Sequence, residues 1–238
     1  MDDRTYHFLA ELLDAFLWGG ELVGNENLPD HGPAVFVSNH VGSLGPIAAM
    51  ASLPLRVYPW VIGDMLDADK APAYLNMDFV EKQFHLRPPL SLWISKALSK
   101  ITVPLLRSAG CVGVWQGEAL LDTYRVSANL LAEGKCLLVF PEDPKQALNE
   151  EYQMSPFQKG FVHLGEFFYK QTHQCLRFYP LVVHVDSSRV KVGRPIAFNP
   201  INPAHRERAR IRTVLEAMIH EMYISMTMEG YQGIPLPH

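Results

Sequence analysis

Hydrophobic positions along this 238-residue chain follow two patterns. Short uninterrupted apolar runs bounded by proline, glycine or polar residues predict buried strands, here over 34–37, 57–62, 111–115, 136–140 and 177–185. Apolar residues three and four positions apart predict helices over 46–53, 90–101, 118–133, 160–170 and 204–228. This alternation predicts an α/β fold with a central, mostly parallel β-sheet flanked by helices.

The N-terminal segment has an apolar stripe that includes Phe8, Leu12 and Phe16. The spacing predicts a helix that Gly19 and the following glycine end. We interpret the stripe as a face packed on the core. The alternative is an anchor on a membrane surface, for which Arg4 is the only nearby positive charge.

Length and composition narrow the class of protein. With 48% hydrophobic residues, we expect one domain over 1–238, with an N-terminal amphipathic helix (1–24), an α/β core (33–200) and a C-terminal helix (204–228). A net charge of -4 argues against a nucleic-acid partner. Three cysteines without a CxxC pair argue against a disulfide framework or a cysteine zinc site, and no metal constellation is present.

The sequence also shows no pattern typical of a signal peptide or a membrane-spanning helix. Asp2 and Asp3 do not form the basic start of a signal peptide, and no apolar run is long enough for a spanning helix. We therefore expect a cytoplasmic protein that is soluble or, at most, peripheral on the inner face of the cell membrane.

Two predicted strands end in residues that can carry chemistry. Asn39-His40 follows the first strand, and Pro141-Glu142 follows the fourth. Ligands of α/β sheets bind beyond the carboxyl ends of strands. A histidine there can take a proton near neutral pH. A lone histidine would more simply be a turn residue, but two polar strand ends that converge on one crevice favour a site.

Asn39-His40 and the residues over 110–116 resemble, in this order, the first two sequence motifs, or blocks, of the glycerolipid acyltransferases. This family includes the 1-acylglycerol-3-phosphate acyltransferases. The family's first block is Asn-His, four residues and then Asp. Asn39 and His40 match it, Ser43 lies inside it, and Gly45 stands where the family has aspartate. The second block matches at Gly110, Val112 and Val114, whereas Gln116 replaces an arginine.

Three further blocks follow in the family's order. The third, Phe-Pro-Glu-Gly-(Ser/Thr)-Arg, matches over 140–142, departs at Asp143 and Pro144, and keeps its positive charge at Lys145. The Phe-x-x-Gly pattern recurs over 157–160, and the proline-containing fourth block over 179–181. Order and spacing agree over about residues 33–185.

The resemblance implies acyl transfer from acyl-CoA or acyl-carrier protein, as co-substrates without any cofactor, to a hydroxyl of a lipid-like acceptor. Because the neutral Gln116 does not pair a phosphate as an arginine does, we expect an acceptor less anionic than glycerol phosphate, such as an amine or a neutral alcohol. His40 would be the base, accompanied by Asn39. Asp143 could replace the missing aspartate, or it could simply be a turn residue before Pro144. The residues expected to bind substrate are Ser43, Gln116, Pro141, Glu142, Lys145 and Arg107.

Other interpretations stay open at this point. A non-catalytic acyl- or lipid-binding relative would also lack the aspartate. A serine hydrolase with Ser43 as nucleophile is the third, although Val41 stands where a nucleophile elbow needs a small residue. Arginines at 206, 208, 210 and 212 could form a solvated face or meet anionic groups, and aromatic residues over 58–93 could line an acyl channel or pack in the core.

Overall fold

The computed structural model describes residues 1–42, 44–81 and 85–232. The chain divides into two compact units, one of residues 58–126 with Met1 and the other of residues 2–57 with those from 127 onward. The single-domain assignment stays a prediction. In the described residues, the strands are β1 (Glu21–Val23), β2 (Ala34–Ser38), β3 (Val57–Ile62), β4 (Val112–Val114), β5 (Cys136–Val139), β6 (Arg177–His184), β7 (Arg189–Val192) and β8 (Ile196–Ala197).

The larger unit is built on a mixed sheet. Strand β2 lies between β5 and β6 and is parallel to both. Beyond β6 come β7, which is antiparallel to β6 and parallel to β1, and β8, which is antiparallel to β6. In the smaller unit β3 and β4 form a parallel pair. The prediction of a mostly parallel sheet flanked by helices is confirmed.

The α-helices among the described residues are α1 (Asp3–Leu13), α2 (Leu44–Ser52), α3 (Ala71–Leu75), α4 (Leu90–Ala109), α5 (Leu120–Ala132), α6 (His163–Thr172) and α7 (Ala204–Gln232). Within the larger unit α2 and α7 pack against β6, and every residue of β2 is buried. Helix α4 continues past the predicted end at 101, with Pro104 inside it. The described helices include none that is both long and apolar enough to cross a bilayer.

The N-terminal helix differs from its predicted packing. It continues as a π-helical turn over Asp14–Trp18 and ends at Gly19, whose φ is +61°. Its buried residues are Tyr6 and Ala10, whereas the stripe through Phe8 and Phe16 is exposed. The interpretation of that stripe as a face packed on the core is therefore wrong, because the helix turns a different side inward.

The arginines at the start of α7 are mostly paired within the larger unit. Arg208 binds Glu166, and Arg210 binds Glu207. The Glu207 carboxylate also accepts hydrogen bonds from the Asn199 backbone and the Asn202 side chain. Burial acts to raise the pKa of Glu207, but its three hydrogen-bond partners outweigh burial and lower that pKa to about 2. The Arg208–Glu166 pair ties the start of α7 to α6, and the bonds of Glu207 tie it to the segment that precedes the helix. Arg206, before these contacts, is exposed.

The aromatic residues of the smaller unit have unequal environments. Tyr58 is buried, and the ring of Trp60 lies against that of Tyr124. Trp93, in contrast, is 76% exposed, so the expectation of ordinary core packing is wrong for this residue. Phe84 lies outside the described residues.

Candidate functional site

The ends of β2 and β5 bring the first and third blocks together. The two strands are adjacent and parallel, with Val37 opposite Val139. The residues that follow each strand therefore leave the sheet at the same edge. As a result, Asn39-His40 and Pro141-Glu142 become neighbours although about a hundred positions separate them in sequence. The predicted convergence of these two segments is observed.

Asn39 fixes the chain immediately before the histidine. Its side chain is buried, and its amide group donates to the Val183 carbonyl oxygen at 2.9 Å. The Val183 backbone N–H donates to Oδ1 of the Asn39 side chain at 2.8 Å. The side chain thus makes the pair of bonds that a peptide group would make, and it extends the β2–β6 pairing by one residue. Only an amide supplies both the donor and the acceptor, which explains why asparagine suits this position.

Glu142 connects the two segments through backbone hydrogen bonds. Its Oε1 accepts from the His40 backbone N–H at 2.5 Å, and its Oε2 accepts from the Ser155 backbone N–H at 3.0 Å. The His40 side chain is exposed, with its ring edge-on to Phe140 at a centroid distance of 5.3 Å. Glu142 therefore positions the backbone of His40. Its predicted contact with substrate stays a prediction.

Burial raises the pKa of Glu142, and the hydrogen bonds from His40 and Ser155 only partly oppose this effect. The carboxylate needs both oxygens as acceptors in this arrangement. Removing one of them would leave the backbone N–H of either His40 or the buried Ser155 without its partner.

We predict that Glu142→Gln lowers the free energy of unfolding by about 1–3 kcal/mol, because an amide offers one oxygen to two backbone donors. Urea denaturation followed by circular dichroism measures the change. Glu150→Gln is the matched control, since Glu150 is exposed and loses the same charge. Equal stability of the two variants would contradict the positioning role.

Asp143 and Lys145 lie on the loop that follows Glu142. The Asp143 Oδ1 accepts from the Lys145 backbone N–H at 3.1 Å, and its own N–H donates to the Pro156 carbonyl oxygen at 3.1 Å. This is the arrangement of an aspartate that stabilises a turn. The geometry supports the turn role for Asp143, and the Lys145 side chain is exposed.

The segment at residues 157–158 packs along this loop and is bound by side chains of α7. The buried Pro141 accepts from Gln158 through its carbonyl oxygen. Phe157 donates its N–H to Glu216 at 2.7 Å, and its carbonyl oxygen accepts from Arg212 at 3.1 Å. Sequence reasoning missed Ser155 and Glu216. Opposite charges four positions apart in α7 were visible at 212 and 216, but nothing in the sequence pointed to Phe157 as their partner.

An open depression of about 640 Å³ borders the same loop. It is lined by Asp143, Gln146, residues 156–159, Ala209 and Arg212. No group of three or more His, Cys, Asp or Glu side chains that could hold a metal ion occurs within 1–42, 44–81 and 85–232.

Gly45 occupies the position of the family's aspartate, in the first turn of α2. Its N–H donates to the Val41 carbonyl oxygen at 2.9 Å, and the residue is buried. A Cβ added there would lie 3.5 Å from the Val41 Cβ, 3.6 Å from the His40 carbonyl carbon and 3.7 Å from the Asn39 carbonyl oxygen. These are ordinary contacts, so the backbone accepts a side chain at this position.

The remaining predicted site residues belong to the smaller unit or fall outside the described residues. Arg107 belongs to the smaller unit, where its guanidinium donates twice to the Leu66 carbonyl oxygen, at 2.9 and 2.5 Å. Gln116 is exposed in the same unit, before a short helical turn at Gly117–Ala119. Ser43, which would be the nucleophile of a serine hydrolase, lies outside the described residues.

Comparison with known proteins finds a similarity in structure, not in sequence. No protein-family model and no curated protein matches the sequence. Among solved structures, the chain is similar to the 1-acyl-sn-glycerophosphate (LPA) acyltransferase PlsC from Thermotoga maritima, with a TM-score of 0.55 and 12% sequence identity over 95% of this chain and 84% of that chain. The chain therefore has a fold like that of a PlsC-type acyltransferase.

Proposed function

We propose that this protein is an acyltransferase that moves an acyl group from an acyl thioester to a hydroxyl or amine of a lipid-like acceptor, with His40 as the general base. The observation that carries the proposal is the 2.5 Å hydrogen bond from the His40 backbone N–H to the Glu142 carboxylate. This bond joins the first and third blocks, which resemble acyltransferase motifs, at one edge of the central sheet. The fold of the chain is similar to that of PlsC.

The reaction requires one proton carrier. A ring nitrogen of His40 takes the proton from the acceptor O–H or N–H while the acceptor atom attacks the thioester carbonyl carbon. The tetrahedral intermediate then collapses, the C–S bond breaks, and the imidazolium returns the proton to the leaving thiolate. The products are an ester or amide and a free thiol. The exposed ring of His40 suits this role, because an acceptor can reach it.

The donor in this proposal is acyl-CoA or acyl-carrier protein, and the acceptor carries less negative charge than glycerol phosphate. Gln116 is neutral at the position of the family's arginine, and an amide does not pair a phosphate as a guanidinium does. Arg107 already binds a backbone oxygen. Neutral lipid alcohols and amines are therefore the acceptors that we expect.

Thiol release with an acceptor panel tests both parts of the proposal. The chain is mixed with palmitoyl-CoA or palmitoyl-carrier protein and with a monoacylglycerol, a long-chain amine or lysophosphatidate, and products are identified by mass spectrometry. We expect about tenfold higher kcat/KM for a neutral acceptor or amine than for lysophosphatidate, because the charge-assisted bonds to phosphate are missing. Lysophosphatidate as the best acceptor would contradict the acceptor class.

Gly45 favours a second candidate, a non-catalytic protein that binds acyl chains or lipids. A glycine has no side chain to hold an imidazole in one tautomer, and a binding protein has no need to do so. The same assay separates the two functions. Retention of the acyl thioester without thiol release, for both donors and every acceptor, would favour binding over transfer.

A further inference from the structure

Helix α4 of the smaller unit buries its polar side. Ser91, Ser95 and Ser99 follow one another at intervals of four and are all buried. The Ser95 hydroxyl hydrogen-bonds with the Ser91 carbonyl oxygen at 2.7 Å and with Asn76 Oδ1 at 3.3 Å. The helix packs here against α3 and the turn at Asn76–Val80. Small hydroxyl side chains thus occupy the face that a surface helix normally fills with large apolar ones.

The opposite side of α4 exposes large apolar side chains. Trp93 is 76% exposed and Ile101 is 69% exposed, and Leu90 and Leu105 are also exposed. With 3.6 residues per turn, these four positions fall on one stripe of the helix. The usual amphipathic arrangement of a surface helix is therefore reversed. An apolar stripe of this kind indicates a surface that meets another apolar phase or partner.

Positive charge runs along one flank of the same stripe. Lys96, Lys100 and Arg107 lie at intervals of four and seven, and the twenty residues of α4 include no Asp or Glu. The whole chain has a net charge of -4, so this concentration of cations is local. A basic flank beside an apolar stripe with tryptophan is typical of helices that lie in the interface of an anionic bilayer.

We infer that the exposed face of α4, formed by Leu90, Trp93, Lys96, Lys100, Ile101 and Leu105, docks on an anionic phospholipid bilayer. Charge complementarity and the apolar stripe both fit this occupant. An acidic protein partner that bound through the lysines alone would leave Trp93 and Ile101 in water, whereas the interface of an anionic bilayer covers both the charged and the apolar part of the face. The docking surface would hold the protein where lipid-like molecules are concentrated, but the inference itself does not depend on catalysis.

The exposed stripe of α1 provides a contrast within the same chain. Phe8 and Phe16 are as exposed as the α4 stripe, but the segment from Asp3 to Trp18 carries Asp3, Glu11 and Asp14 against a single basic residue, Arg4. Anionic lipid headgroups repel such a segment. Apolar exposure alone is therefore matched between α1 and α4, and the sign of the charge differs.

Vesicle co-sedimentation tests the inference with the full chain. Vesicles of phosphatidylcholine alone are compared with vesicles of phosphatidylcholine mixed with phosphatidylglycerol, without acyl donor. We expect binding to the mixed vesicles only. Trp93→Ser combined with Ile101→Ser should reduce the partition coefficient about tenfold or more. Lys96→Gln combined with Lys100→Gln should reduce it about fivefold for each charge, and added salt should weaken binding of the unmodified chain.

Two controls make the outcome specific. Phe8→Ser combined with Phe16→Ser should bind the mixed vesicles like the unmodified chain, and circular dichroism checks that each variant is folded. His40→Ala should also bind normally, so a failure of the transferase proposal leaves this result unaffected. Equal binding to both vesicle types, or loss of binding in the α1 variant alone, would overturn the inference. Capture of an acidic carrier protein through Lys96 and Lys100 without vesicle binding would overturn it as well.

Discussion

His40→Ala is expected to lower kcat for acyl transfer by about 10²–10⁴-fold, the range that a positioned general base contributes. The fold should tolerate the change, because the His40 side chain is exposed and its backbone N–H remains available to Glu142. The preceding Asn39 would still be bound to Val183. The measurement is the rate of thiol release from acyl-CoA with the best acceptor, under conditions where binding of both substrates is saturated.

His205→Ala is the matched control for that variant. His205 is also exposed and lies in the first turn of α7, so its loss should leave kcat unchanged. Thermal unfolding of both variants should occur near the temperature of the unmodified chain. If transfer survives in His40→Ala at the original rate, another group is the base and the proposed mechanism is wrong.

Gly45→Asp is expected to increase the rate. Removal of the aspartate from a serine-protease triad lowers kcat by about 10⁴-fold, and an aspartate restored without its surrounding hydrogen bonds should recover part of that, about tenfold to a hundredfold. The Cβ would make ordinary contacts with residues 39–41. A carboxylate in the first turn of α2 is also favoured by the dipole of that helix. It would stand close to the backbone of the histidine that it is meant to orient.

Gly45→Asn and Gly45→Ala separate charge from size in this experiment. Asparagine has nearly the same shape as aspartate, but it carries no charge to stabilise an imidazolium. We expect kcat/KM to rise in the aspartate variant alone. If all three variants have the same rate, a carboxylate at position 45 does not orient His40, and the family's arrangement no longer applies to this site.

The central strands could be predicted because they carry an unbroken apolar signal. The runs at 34–37 and 136–140 had no competing interpretation, since strands buried on both faces need continuous apolar residues. Strands β1, β7 and β8 escaped prediction for a different reason. They have two to four residues each, and Arg189 and Lys191 interrupt the apolar pattern of β7. Their pairing depends on neighbours that are distant in sequence.

The candidate site was predictable only at the level of its motifs. Asn39, His40 and Glu142 could be found because each follows an apolar run at a predicted strand end. The contacts that hold them could not be found, since the backbone groups of Val183 and Ser155 are present in every residue. Side-chain chemistry appears in a sequence, whereas the partner of a side chain is often a backbone atom.

Exposure was the property that periodicity predicted least well. A stripe of apolar residues fixes which side chains share a face of a helix, but it does not say what covers that face. Both Phe16 in α1 and Trp93 in α4 belong to stripes that face solvent. The buried serines of α4 gave the opposite pattern, and a hydrophobicity profile assigns such residues to the surface.

The double hydrogen bond between Asn39 and Val183 also restricts the backbone of His40, the proposed base. His40 follows a residue that is paired like part of the central sheet, and its own N–H is held by Glu142. A shift of the His40 backbone would break its hydrogen bond to Glu142 and disturb the pairing of Asn39 with β6. Closure around a substrate therefore has to come from other parts of the chain or from the substrate itself. The conformational entropy of fixing the His40 backbone is therefore lost when the chain folds. In the proposed reaction, the binding energy of an acceptor can then be used to align the reacting atoms.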